Sequence, residues 1–454
     1  MSHGSQPHRP DPYDAPDAAI STGALPLGAG PMPLGLRLRL SLMMFLQYFV
    51  WGIWLPILGL HLGSKAVGLN EAQIGWVYTV YGLGAILGPF VLAQLADRYL
   101  ATEIVLALAH LIGGGLLLAT AYATGFWPIF LLLLAYCNLF MPTMGLTNSL
   151  TFRAVGEGNQ DRFPAIRMWG TIGWIAAGLS FAGYLRLGGV EAFRPVFDLI
   201  GAPAFRDCLR GSGLVSIIYG LYCFSLPHTP PTPVARDAGH VKKSAILESL
   251  ELMRIRSFAV LVVVAGLIGI LLAFYFACEG IFLNSIGIPE QDVSGYMVIG
   301  QVAEWAVIGL IPLAVNRFGV KNTMIIGAAA WAIRFGLSAY GQPKWLMIAT
   351  IGLHGFAFGF FFVVAQMYVD RAAGPDIKAS AQNLLIFIIY GMGTIFGSAL
   401  SGYTRTFFNN DWSRIWAGPA ILTVACILIF AALFRDTELK RRAVATPGAE
   451  PLPA

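Results

Sequence analysis

The chain has 454 residues, 57% hydrophobic and 12% charged, with a formal net charge of +5. A soluble domain carries about 25% charge, so polar groups cannot cover a surface of this size, and lipid must solvate much of it. The scattered basic residues exclude a nucleic-acid footprint. The five cysteines (137, 208, 223, 278 and 426) follow neither disulfide nor metal-ligand spacing and read as small buried hydrophobes.

Residues 1–36, rich in Pro, Gly, Ala and Asp, contain no apolar run and read as a disordered cytoplasmic tail rather than a signal peptide. A spanning helix needs about 20 mostly apolar residues. That rule predicts spans over 41–62, 72–95, 103–123, 127–152, 165–187 and 207–226, then 257–285, 292–315, 321–341, 344–369, 380–404 and 412–435. The expected fold is therefore an all-α membrane protein of twelve transmembrane helices in two six-helix bundles, 37–226 and 257–435. A linker, 227–256, joins them and a tail, 436–454, follows. Within the linker, Ser244 is placed to cap a short amphipathic helix running to Arg256 at the membrane surface.

Orientation follows from the basic residues. With both termini cytoplasmic, the inside segments hold 19 of the 29 Lys and Arg and the outside segments 8, while Arg167 and Arg334 lie within spans. The asymmetry favours both ends inside.

The turn after span two reads Ala93-Gln-Leu-Ala-Asp97-Arg98-Tyr-Leu100, and that after span eight reads Pro312-Leu-Ala-Val-Asn316-Arg317-Phe-Gly319. Both set Asp or Asn beside Arg at a tight cytoplasmic turn, a pattern that resembles the loop signature of the major facilitator superfamily, whose halves are parallel repeats. Ala93 and Leu100 depart from the glycines usual there. Gly84-x-x-x-Gly88 and Gly393-x-x-x-Gly397 offer small residues for close helix packing.

Ionisable side chains in hydrocarbon cost at least about 2.5 kcal/mol each and need a partner or a wet cavity. Glu304 lies midway along span eight, with Gln301 one turn earlier on the same face; an interhelical hydrogen-bond pair is the plainer reading. Arg167, Thr171 and Trp174 fall at i, i+4 and i+7, a stripe bearing a guanidinium, a hydroxyl and an indole. Arg167 alternatively snorkels to the interface. His354 and Phe358 pair at i and i+4 on span ten, where a packing histidine is the alternative. Weaker candidates are His110 and Glu279. Arg334 reads as structural or interfacial, and Gln47 as facing either a cavity or a neighbouring helix. Between two bundles, such a set suits a planar, hydrogen-bonding solute.

Several stretches are specific enough to name a family. Phe140-Met-Pro142-Thr-Met-Gly-Leu-Thr-Asn148-Ser and Phe163-Pro-Ala-Ile-Arg167-Met-Trp-Gly-Thr171-Ile-Gly resemble the bacterial nucleoside:proton symporters of the major facilitator superfamily. So do Phe45-Leu-Gln47-x-x-x-Trp51-Gly-x-Trp54, Gln73-Ile-Gly-x-x-Tyr78 and Asp376-x-x-Ala-Ser-Ala-Gln382. The resemblance covers about residues 37–435. It implies solute binding by Arg167, Thr171, Trp174, Gln301, Glu304, His354 and Phe358, and proton-coupled alternating access with Glu304 as the coupling carboxylate. Two departures stand out. Gly359 replaces the Asp that follows the span-ten aromatic, and Phe274-Tyr275-Phe276-Ala277 stands where the family places amides.

The expectation is thus a multi-pass inner-membrane importer of nucleosides, monomeric, surrounded by lipid, without cofactor other than the coupling proton. An uncoupled facilitator and a carrier of sugars or other small polar metabolites are the near alternatives. A non-transporting sensor and a membrane-embedded enzyme are more remote.

Overall fold

The computed structural model describes residues 32–156, 162–187, 205–231, 252–373 and 378–435, with the side chains at 93, 97, 378 and 379 excepted. The expected tails as far as 31 and from 436, the connection up to 204, and the amphipathic helix from Ser244 up to 251 fall outside these residues; its last residues form a 3-10 turn, Leu252–Arg254. All the regular structure described is helical.

In chain order the elements are α1 (Leu34–Trp54), a 3-10 turn (Leu55–Ile57), α2 (Leu58–Gly63), α3 (Glu71–Arg98), α4 (Thr102–Tyr122), α5 (Phe126–Val155), α6 (Phe163–Leu187) and α7 (Asp207–Cys223). After the linker come α8 (Arg256–Ser285), α9 (Glu290–Ile308), α10 (Ile311–Tyr340), α11 (Lys344–Ile351), α12 (Leu353–Ala357), a π-turn (Phe358–Val363), α13 (Val364–Ala372), α14 (Lys378–Ile386), a second π-turn (Phe387–Met392), α15 (Gly393–Phe407) and α16 (Trp412–Leu433). Among the described residues nine helical stretches are long and apolar enough to cross a membrane. Helices α6, α7 and α9 pack among them but fall short of that measure, α7 at 17 residues, α9 through its charged and amide side chains and α6 through its Gly, Ser, Thr and Trp residues.

Helix α10 is two helices joined at Gly319, whose φ of 77° lies in the left-handed region that favours glycine. The sharp turn there reverses the chain, and Asn316 and Arg317 stand exposed just before it. At the first turn, Pro56 lacks the N–H that would continue α1. The Tyr78 hydroxyl repairs the break, donating to the Leu55 carbonyl (3.2 Å) and accepting from the Gly59 amide (2.9 Å). Helix α3 starts on a capping box in which Asn70 and Gln73 satisfy each other's backbone amides.

Helices α1 to α7 pack on one another, as do α8 to α16, and the two sets meet along α3–α15, α6–α9 and α2–α8. Gly84 and Gly88 seat α3 on α5, against Cys137 and Pro142, whereas Gly393 and Gly397 seat α15 on α8, against Gly269 and Ile270. The end at which α1 begins is here called proximal, and the end bearing the 64–70 turn distal. The contacts between the two sets concentrate from mid-height to the distal end. Gly75 abuts Ser398 and Gly402, Gly280 abuts Pro56, and Gly178 abuts Ser294. Polar bonds reinforce them: Trp76 Nε1 donates to the Tyr403 hydroxyl (3.0 Å), Asn410 Nδ2 to Glu71 (2.9 Å), and Arg186 Nε to Asp292 (2.6 Å).

All five cysteines are buried and unpaired.

Candidate functional site

A cavity lies where α1, α6, α8, α9, α12 and the two π-turns converge. Counting its open mouth, it holds about 630 Å3, within the roughly 300–1,000 Å3 typical of small-molecule sites. Arg167, Thr171, Trp174, Gln301, Glu304, His354 and Phe358 all line it.

Helix α6 delivers the first three as one stripe because it is pressed onto α1 by small residues. Gly173 meets the Phe45 carbonyl, Gly52 meets the Trp174 backbone and Ala177, and Gly170 meets the Tyr48 ring. The Arg167 guanidinium then lies over that ring, 4.1 Å from its centroid. Trp174 meets Trp51 edge to face at 4.6 Å, and Trp51 stacks on Tyr81 at 5.4 Å with the planes 8° apart. One side of the cavity is thus an aromatic wall with a guanidinium at its edge.

On the other side, Gly355 lets α12 touch the Ala303–Glu304 peptide directly, and Gly300 receives the His354 side chain. Gln301 and Glu304 project into the cavity from the same turn of α9. Arg167 and Glu304 form no ion pair, so both charges remain available to a ligand. His354 packs against Tyr275 (5.4 Å), Phe276 (5.9 Å), Trp331 (5.4 Å) and Phe358 (6.0 Å). Three buried polar atoms of the lining have no hydrogen-bond partner: Trp51 Nε1, Gln301 Oε1 and His354 Nδ1. Unpaired buried polar atoms are uncommon and call for a missing partner.

Tyr48, Leu272 and Tyr390 also line the cavity and were not singled out from the sequence, as does Phe276, of the stretch that stands where the family places amides. Tyr48 shares a helical face with Trp51, three residues on, and Leu272 with Phe276, four on, so periodicity carried a signal for both. Tyr390 is presented by the second π-turn, as Phe358 is by the first; such bulges are frequent at functional sites. A smaller apolar chamber of about 460 Å3 continues distally past Trp51, Phe276 and Tyr390 toward Tyr78 and Ser398.

Other sequence candidates lie elsewhere. Gln47 is fully buried beside the Tyr48 face of α1, donating to Thr143 (2.8 Å) and bonding His110 Nε2 (3.0 Å), while His110 Nδ1 meets Ser216 Oγ (3.1 Å). Both hold α1, α4, α5 and α7 together and neither faces the cavity. Arg334 is not interfacial: it is wholly buried and pairs with Glu279 at 3.2 Å. Arg98, Asn316 and Arg317 are exposed on turns at the proximal end, away from the cavity, and the Asp97 side chain is outside the described residues. Gly359 faces Val307 and Ile311 rather than the cavity.

Residues 34–439 match the family model described as nucleoside H+ symporter. The chain belongs to that family. It is 32% identical over 415 residues to the putative nucleoside transporter YegT of Escherichia coli K12, covering 88% of this chain and 94% of the relative. To the nucleoside permease NupG of the same organism it is 30% identical over 429 residues, covering 90% and 98%. A crystal structure of nucleoside transporter NupG superposes with a TM-score of 0.74 at 30% identity, covering 88% of this chain and all of that one. The chain is therefore a multi-pass membrane transporter of the major facilitator superfamily.

Proposed function

We propose that the protein imports nucleosides or nucleoside-like solutes across the bacterial cytoplasmic membrane by proton symport with alternating access. The observation that carries this reading is the pairing, in one cavity, of aromatic walls with unpartnered polar atoms. Trp51, Trp174 and Phe358 offer faces to a planar base. Gln301 Oε1, His354 Nδ1 and Trp51 Nε1 seek the acceptors and donors that ribose hydroxyls and base edges supply. Arg167, Thr171, Gln301 and Glu304 hold the sugar, and Glu304 carries the coupled proton. The relatives' names, nucleoside transporter and nucleoside permease, support the solute class, and the family's description supports the proton.

In this reading the chain crosses the membrane twelve times, with α6, α7 and α9 among the spans and both termini cytoplasmic. Its halves are six-helix bundles joined by the 227–256 linker, and it works as a monomer. The proximal end is then cytoplasmic, and the distal contacts of α3 with α15 and of α6 with α9 hold the outer side shut, an inward-facing state. The turns at Asp97–Arg98 and Asn316–Arg317 are the cytoplasmic hinges over which the bundles rock.

The test is uptake of radiolabelled uridine and adenosine into cells lacking other nucleoside carriers, with and without a protonophore. Wild-type accumulation collapses with the protonophore, and Glu304→Gln abolishes accumulation. Accumulation by Glu304→Gln at the wild-type level overturns the role of that carboxylate, and protonophore-insensitive equilibration by the wild type makes the protein an uncoupled facilitator.

A further inference from the structure

Behind the cavity wall, away from Glu304, α8 and α10 bury a second carboxylate. Glu279 and Arg334 are 2% and 0% exposed. One hydrogen bond joins them, Arg334 Nη2 donating to Glu279 Oε1 at 3.2 Å. Glu279 Oε2 and Arg334 Nε and Nη1 are buried and lack any partner. A pair kept only for stability is expected to be fully bonded, because burying two charges is repaid only when the remaining hydrogen-bonding capacity is also filled. Here three of the pair's five polar atoms stand open.

While paired with Glu279, the guanidinium also rests on aromatic neighbours. Its central carbon lies 4.0 Å from the Tyr275 ring centroid and 5.9 Å from that of Trp331, and aromatic faces attract a desolvated cation. The Tyr275 ring in turn stacks on His354 at 5.4 Å with the planes 31° apart, and His354 lines the cavity with Nδ1 unpartnered. The other ionisable groups around Glu279 are Tyr275 and Cys278 on its own helix, and beyond Cys278 lie Tyr78 on α3 and Arg405 on α15. Arg405 is already engaged by Asn410 (3.0 Å) and Glu71 (3.9 Å). Arg334 is thus the one cation paired with Glu279 among the described residues.

We propose that Glu279 is a second proton-binding group of the transport cycle, linked to the solute cavity through Arg334, Tyr275 and His354; this rests on the symport reading above. An Arg side chain does not give up its proton, so only the carboxylate can change state. A proton taken from water bonds to the open Oε2, and the bond from Arg334 Nη2 to Oε1 loosens. The guanidinium is then held by its contact with the Tyr275 ring, and the ring shifts His354 against the solute. Release reverses these steps: the proton returns to water on the other side and Arg334 re-forms its pair. No electrons move.

The test uses purified protein in proteoliposomes with uridine as the probe. Counterflow, exchange without a proton gradient, reports solute binding and alternation alone; reversal of flux against imposed gradients gives the proton-to-uridine ratio. The wild type is expected to show counterflow and a ratio of two. Glu279→Gln is expected to keep counterflow and drop to a ratio of one. Under a gradient of about one pH unit, it then accumulates about tenfold less uridine, the factor carried by one proton. Wild-type accumulation and an unchanged ratio in Glu279→Gln overturn the inference while leaving the symport reading intact. Absence of wild-type counterflow overturns both. If Glu279→Gln does not fold, the wild-type ratio decides, since a value of one leaves no proton for Glu279.

Discussion

Gly75 and Gly402 let α3 and α15 touch at the distal end, and enlarging either should bias the protein away from the state seen here. A Cβ at Gly75 would lie 2.7 Å from the Ser398 carbonyl oxygen and 2.9 Å from Gly402 Cα. Both partners are backbone and cannot rotate aside, so Gly75→Leu forces the two helices apart. Overpacking of this kind costs about 1–3 kcal/mol. The cost falls only on the state in which the distal ends meet, so it acts as a differential free energy and shifts the equilibrium by roughly 5–150-fold toward a distally open form. The five native cysteines are buried, which leaves a quiet background for Thr171→Cys as a reporter inside the cavity. A membrane-impermeant thiol reagent applied from outside should label that reporter about thirtyfold faster in the Gly75→Leu background, the middle of the same range. The control is Gly115→Leu, where the added side chain meets nothing within 4 Å. Equal labelling in the two backgrounds would refute both the distal-gate argument and the assignment of the distal end to the outside.

Four further outcomes follow from the contacts described. Arg186→Ala breaks a distal pair whose arginine is 58% exposed; exposed pairs contribute about 0–1 kcal/mol, so reporter labelling should rise less than about fivefold. Gln47→Leu strands the buried His110 Nε2 and should lower stability by about 1–3 kcal/mol with uridine affinity unchanged, read by thermal unfolding in detergent with and without ligand. Tyr48→Leu removes the ring beneath Arg167, a contact of about 0.5–2 kcal/mol, and should raise the uridine half-saturation constant without lowering protein abundance. Gly355→Ala drives α12 into the Ala303–Glu304 peptide; it should impair uptake through displacement of Glu304 at a cost of about 1–3 kcal/mol, and normal uptake kinetics would count against that close approach.

Hydropathy finds helices by their apolar content, and here it is least sensitive where the candidate site is richest. Helix α9 is weakened by Glu290, Asp292 and Glu304, and α6 by the Gly, Ser, Thr and Trp residues between Arg167 and Arg186; residues of the same kinds line the cavity, seat α6 on α1 and supply the distal lock. Helical spacing made the stripe Arg167–Thr171–Trp174 and the pair Gln301–Glu304 legible, because i, i+3 and i+4 relations are local. What periodicity lacks is a reference direction: Trp51 shares a face with Gln47 at i−4 and with Tyr48 at i−3, and spacing does not say which of the two looks into the cavity. Packing decides that, through the bonds of Gln47 to Thr143 and His110 and the glycines that press α6 onto the Tyr48 face. Tyr390 was hidden for a different reason, since a π-turn rotates its side chain off the α-helical register.

The pairing of Glu279 with Arg334 was out of reach for a third reason: 55 residues separate them, and two isolated charges in apolar spans each suggest only that some partner exists. Their contact matters most for the solute site, because it ties the wall behind His354 to a charge that titration can switch. The glycine at 359 then makes physical sense. A side chain there would meet Val307 at 3.1 Å, so a carboxylate at that position would be crowded against aliphatic neighbours, whereas one at 279 already has a counter-charge within hydrogen-bonding distance.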